Sequence, residues 1–132
     1  AILLLATMVY APDLKADWRA ARELLERASL SNSPFDCVYV VTEDPRNTVE
    51  VETARYYLGQ RFRVLPLTKA LADSQESDTH SGERVVFATS LRRGQPVAAL
   101  PTVIEHAYAF EYGMDVPGLR LAWRIRRSGA SD

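Results

Sequence analysis

Reactive residue types are scarce in this 132-residue chain, which holds one cysteine, two histidines and six scattered glycines. A lone Cys37 excludes an internal disulfide and points to an intracellular reducing compartment: the cytoplasm, or an organelle such as the mitochondrion where a targeting segment has been removed. One thiol and two distant imidazoles give no zinc spacing, and the glycines approach neither phosphate-loop fingerprint. No metal and no cofactor is therefore expected. Charge of one sign is lacking too: 16 basic and 17 acidic residues leave a net charge of −1, so no general field attracts nucleic acid or an anionic membrane. The apolar run Ala1–Tyr10 falls short of the roughly 20 residues that span a bilayer. It also lacks the basic start and small-residue cleavage site of a secretory signal, so it is expected as a buried strand rather than a membrane span.

What the chain does have is ordinary globular composition, 47% hydrophobic and 25% charged, enough for one core and a single domain over residues 1–132. The unbroken apolar character of Ile2–Tyr10 predicts a central strand covered on both faces. Asp13 is placed to cap a helix in which Leu14, Trp18, Ala21, Leu25 and Ala28 recur at helical steps, with Leu24 widening the stripe. Arg19, Arg22, Glu23, Glu26 and Arg27 lie on its outer face at pairing distance along the helix. Phe35–Thr42, built on Val38 to Val41, predicts a second strand. Asn47, followed by Glu50, marks the start of a second helix with Val51, Ala54 and Leu58 inward and Gly59 as its stop.

Phe62–Leu67 predicts a third strand, with Pro66 indicating an edge or a strand end. Asp73–Glu83 is polar and predicts an exposed loop. Arg84–Thr89 predicts a fourth strand, and Pro96–Leu100 a short helix that Pro101 ends. From Ile104 the chain alternates: Ile104, His106, Tyr108, Phe110 and Tyr112 on one face, Glu105 and Glu111 on the other. After a turn over Gly113–Gly118, Leu119, Leu121, Trp123 and Ile125 alternate with Arg120, Ala122, Arg124 and Arg126. A C-terminal antiparallel hairpin follows, in which Glu105 and Glu111 meet Arg124 and Arg120. The expected architecture is α/β: a three-layer sandwich, its central sheet mostly parallel, with that hairpin appended.

In this order the elements resemble the histidine phosphatase (phosphoglycerate mutase-like) superfamily. Asp36-Cys37-Val38-Tyr39-Val40-Val41 is similar to the strand before the family's Ser-Ser-Pro turn, and Glu52-Thr53-Ala54 to the Glu-Thr-Ala of its following helix. Arg63–Leu67 and Arg84–Ser90 are similar to its next two strands. The resemblance implies a first strand ending in Arg-His-Gly, whose histidine takes the phosphoryl group. This chain reads Ala6-Thr7-Met8 there. A second histidine is implied near Ser90, where Ala88-Thr89-Ser90-Leu91 stands. The family's arginine before Glu-Thr-Ala corresponds to Arg46 only if the turn carries an insertion. With Ala6, Thr7, Met8 and Ser90 as degenerate positions, the resemblance implies a member without catalysis.

His80, in Asp78-Thr79-His80-Ser81, lies in a polar loop that holds no catalytic geometry. His106 reads as a sheet histidine and Cys37 as a small packed residue. Glu43 and Asp44 follow a strand's C-terminal end, with turn formation before Pro45 the main use of Asp44. Arg92, Arg93, Arg120, Arg124, Arg126 and Arg127 are concentrated toward the C-terminus. They read first as a solvated face, and otherwise, with Arg46, as contacts for an anion, RNA or an acidic partner. The aromatic face of the hairpin is the first docking candidate wherever it is uncovered. The expectation is a pseudoenzyme: a structural or interaction subunit contacting other proteins in a multi-subunit assembly. Residual phosphatase or mutase activity through unrecognised residues, and anion or RNA binding through the C-terminal arginines, stay open as alternatives.

Overall fold

A computed structural model of the chain describes residues 16–30, 35–42, 48–75, 82–91 and 100–127. Within these residues the fold is mixed α/β, with five strands in one sheet and four helices. The strand expected at Ile2–Tyr10 lies outside them, as do Asn47, His80 and the Pro96–Ala99 part of the expected short helix.

Helix α1 (Trp18–Leu30) buries Trp18, Ala21 and Leu25, the stripe its spacing predicts. Asp17 caps it: its carboxylate accepts the Ala20 N–H at 3.0 Å, satisfying a donor of the first turn, while Asp13 and Leu14 lie outside the described residues. On its outer face Arg22 and Glu26 pair at 3.6 Å. β1 (Cys37–Val41) is buried along its whole length. α2 (Val49–Leu58) follows and turns Val51, Ala54 and Leu58 inward as expected.

β2 (Arg63–Pro66) is shorter than the expected strand, because Leu67 already begins α3 (Leu67–Ser74). This helix corrects two readings. Leu67 does not belong to a strand, and Asp73 and Ser74 do not belong to a polar loop; Asp73 is buried. The spacing of Leu67, Ala70 and Leu71 is the helical signal.

β3 (Arg84–Ser90) lies as expected. Ile104 and His106, expected in an alternating strand, sit instead in a short helix, α4 (Thr102–Ala107). Pro101 begins this helix. Its carbonyl accepts the N–H groups of Ile104 and Glu105 at 3.0 and 3.1 Å, and proline's missing N–H costs nothing at a helix start.

β4 (Tyr108–Val116) and β5 (Leu119–Arg126) pair antiparallel through Pro117-Gly118, where Gly118 takes φ 76°. The turn is thus shorter than the expected Gly113–Gly118 span. Gly113 stays in the strand opposite Ala122, and the Phe110 ring lies 3.7 Å from where a Cβ on it would stand.

The strand order is β2-β1-β3-β5-β4. β1 pairs in parallel with β2 and β3, while β5 pairs antiparallel with β3 and β4. Among the described residues half the pairings are therefore antiparallel, and the sheet is mixed. β1, β3 and β5 each have both neighbours within this sheet.

Side-chain alternation divides the core in two. Val38, Val40, Val86, Leu121 and Trp123 pack with α1 and α2, whereas Cys37, Tyr39, Val85, Phe87 and Tyr108 pack with α3 and α4. A register shift between Phe110 and Tyr112 leaves Glu111 as the extra residue. It reverses the expected aromatic face: Tyr108 and Phe110 stand opposite Arg126 and Arg124, but Tyr112 stands opposite Trp123 and stacks on it at 4.8 Å.

Candidate functional site

Parallel strands present their carboxyl ends to ligands, because the following helices begin there and leave a crevice between them. Such a crevice, about 360 Å³, opens here beyond the ends of β1 and β2. Thr42 follows β1 and Pro66 ends β2; Glu52 and Arg55 reach it from α2, Leu67 and Leu71 from α3. Its walls are mainly aliphatic, with one carboxylate and one guanidinium on the same helix. Glu43, Asp44 and Arg46, which fall between Thr42 and Thr48 in the chain, lie outside the described residues.

Ser90 ends β3, and its hydroxyl donates to the Glu50 carboxylate at 3.0 Å. The strand end where the resemblance implies a histidine thus carries a serine engaged by an acid from the first turn of α2. Ala6, Thr7, Met8, Arg92 and Arg93 are outside the described residues.

The described C-terminal arginines do not form a solvated row. Arg126 is only 5% exposed. Its guanidinium lies 5.4 Å from the centre of the Tyr108 ring and donates to the Ser74 carbonyl at 3.1 Å, tying β5 to the end of α3. Arg124 is half-buried, lies 5.5 Å from the centre of the Phe110 ring and donates to the Tyr108 carbonyl at 3.1 Å. Burial lowers its pKa. Arg120 is exposed, and Asp115 binds it through two hydrogen bonds, at 3.0 and 3.2 Å, which raises its pKa.

The expected cross-strand partners change accordingly: Arg120 meets Asp115 rather than Glu111, and Glu111 meets Arg84 at 3.3 Å. Lying in α4, Glu105 is not opposite Arg124, whose cross-strand neighbour is Phe110.

Cys37 is buried as expected, and desolvation pushes its thiol up to about 11 against the partial offset of a hydrogen bond with Tyr39. A thiol held protonated in this way is a poor nucleophile at neutral pH. His106 is exposed on α4.

Three arginines not singled out by the sequence reading gather elsewhere. Arg55, Arg61 and Arg63 line a shallow groove of about 670 Å³ on the outer side of β2, together with Tyr56, Phe62 and Leu65. Arg55 Nε donates to the Val64 carbonyl at 3.2 Å, which fixes its guanidinium over the strand edge. Arg61 lies 3.9 Å from Glu26, a carboxylate that Arg22 also approaches. The sequence carried a signal for the group: Arg61-Phe62-Arg63 puts two cations on alternate residues entering an edge strand, one and a half turns after Arg55. No family of proteins, no curated protein and no solved structure matches the chain.

Proposed function

We propose that the chain is a non-catalytic domain on a histidine-phosphatase-like scaffold, a structural or interaction subunit of a larger protein assembly in a reducing compartment. The packing of helices against both sides of the sheet supports reading the fold as three layers, with the β4–β5 hairpin as its C-terminal addition. One feature favours contact over phosphoryl chemistry: the end of β3, where the resemblance implies a histidine, carries Ser90, whose hydroxyl donates to the Glu50 carboxylate.

The observation that carries the reading is the outer strand of the sheet. β4 is nine residues long and, among the described residues, pairs on one side only. It leaves Phe110 58% and Met114 43% exposed, one on each face. Long edges carrying uncovered apolar side chains associate unless something covers them, and a protein partner with an apolar extended surface is the cover proposed.

Size-exclusion of a gentle native extract, with mass spectrometry of the fractions, tests this. The wild-type chain is expected in a complex of fixed composition, and the Phe110→Asp/Met114→Glu variant outside it. A wild-type chain that elutes alone and hydrolyses a phosphomonoester, with loss of turnover in Ser90→Ala, overturns the reading.

A further inference from the structure

We propose that the groove beside β2 binds an acidic, extended polypeptide segment whose carboxylates alternate with apolar side chains. The assignment names the partner chemistry at a second face of the sheet and rests on the interaction reading above.

Charge is the first argument. Arg55, Arg61 and Arg63 line the groove, and none of its described lining residues is Asp or Glu. The Arg61 side chain is 70% exposed and its carboxylate neighbour, Glu26, is at the limit of an ion pair. Arg63 is exposed at the start of the strand. Three guanidinium groups around one groove repel each other, and a run of carboxylates relieves that repulsion. In a chain of net charge −1 the cluster is a local feature, not a reflection of overall basicity.

Apolar surface is the second argument. Tyr56 is 81% exposed and, with the half-buried Phe62 and Leu65, adds ring and aliphatic surface to the same groove. A ligand that alternates acid and apolar side chains satisfies both, because an extended strand sends successive side chains to opposite sides.

The strand edge separates a peptide from RNA. β2 is the last strand on its side of the described sheet and is hydrogen-bonded to β1 alone. A polypeptide strand can add to such an edge through its own main-chain donors and acceptors, and a phosphate backbone, which only accepts, cannot. Arg55 occupies the Val64 carbonyl, so a ligand carboxylate meets a guanidinium already held in place.

Fluorescence anisotropy on the full-length chain tests the proposal with three labelled probes: a ten-residue alternating Glu-Val peptide, its Lys-Val counterpart, and a ten-nucleotide single-stranded uridine RNA. The Glu-Val peptide is expected to bind and the other two not. Arg61→Glu/Arg63→Glu is expected to weaken that binding about tenfold, the scale of two reversed exposed charge contacts. Arg61→Gln/Arg63→Gln gives a smaller loss, and Arg120→Glu on the opposite side of the sheet gives none. Circular dichroism checks that each variant is folded.

Failure of the Glu-Val peptide to bind, binding that survives both double variants, or tighter binding of the RNA with the same arginine dependence each overturns the assignment. The extract fractionation is a separate measurement. A chain that stays in its complex while failing the peptide assay loses the groove and keeps the interaction reading.

Discussion

The Tyr39 hydroxyl donates to the buried Asp73 carboxylate at 2.7 Å, joining the middle of β1 to the last turn of α3. Lys69, one turn earlier, approaches the other oxygen of the same carboxylate at 3.1 Å. α3 is only eight residues long, too short to be stable by its own hydrogen bonds. This buried bond and the burial of Ala70 hold it to the sheet.

Tyr39→Phe removes one hydrogen bond to a buried charge and is expected to lower the free energy of unfolding by about 2 kcal/mol in urea titration. Asp73→Leu, which leaves the phenol without its acceptor and Lys69 without its carboxylate, is expected to cost at least as much. Burial first, and the bond to Asp73 second, push the Tyr39 phenol upward. Ultraviolet titration is therefore expected to show Tyr39 ionising only when the protein unfolds. Equal stability of Tyr39→Phe and wild type removes the pair from this role.

Cys37 sets an alkaline limit. Its folded value of about 11 lies above the ordinary 9.0, so above pH 9 the unfolded chain loses a proton that the native chain keeps. The associated stability is complete below about pH 9 and is lost as pH rises toward 11, in total about 2–3 kcal/mol. Chemical denaturation at pH 8, 9, 10 and 11 is expected to show this decline, and Cys37→Ala to flatten its early part. An aromatic disulfide reagent at pH 8 is expected to react only after urea is added. Rapid reaction of the native protein contradicts the buried thiol.

Arginines that look equivalent in sequence are expected to separate by stability. Arg126→Ala removes a cation from the Tyr108 ring and a donor from the Ser74 carbonyl, a loss of about 2–3 kcal/mol. Arg120→Ala breaks an exposed pair with Asp115 and is expected to stay within about 0.5 kcal/mol. Thermal and urea unfolding of the two variants decide this, and similar values for both contradict the burial of Arg126.

Phe110 separates folding from association. Its ring covers Gly113 and carries Arg124 above it, yet most of its surface is open. Phe110→Ala is expected to cost about 1 kcal/mol of stability while releasing the chain from its assembly in the extract experiment. A variant that keeps the assembly moves the contact away from β4.

Periodicity made much of the fold legible. The stripe of Trp18, Ala21 and Leu25 and the β-branched run Val38–Val41 occur where hydrophobic spacing puts them. The misreadings have local causes. Ile104, His106, Tyr108 and Phe110 alternate like a strand, but their first two members are the end of a helix that Pro101 starts, and a two-residue period over so short a stretch does not exclude a helix. The α3 helix is obscured because it follows β2 without a connecting loop.

A bulge moved Tyr112 to the other face, and no residue type announces a bulge at Glu111. The site was less legible than the fold. Chain proximity made the C-terminal arginines look like one surface, whereas the strands divide them between ring contacts and salt bridges. Arg55, Arg61 and Arg63 belong to a helix and an edge strand that come together only on folding.

Among the described strands β5 alone runs in reverse, and this has a kinetic consequence. β4 and β5 are joined by two residues, so the ribbon they form closes on the microsecond scale from contacts near in sequence. β1, β2 and β3 join only by way of intervening helices, and such non-local pairing is slow because loop closure comes before any contact energy. β5, hydrogen-bonded to both β4 and β3, is the template on which the early ribbon receives the late trio. Changes within the ribbon should alter the refolding rate, and changes at the outer face of β2 should alter mainly the rate of unfolding.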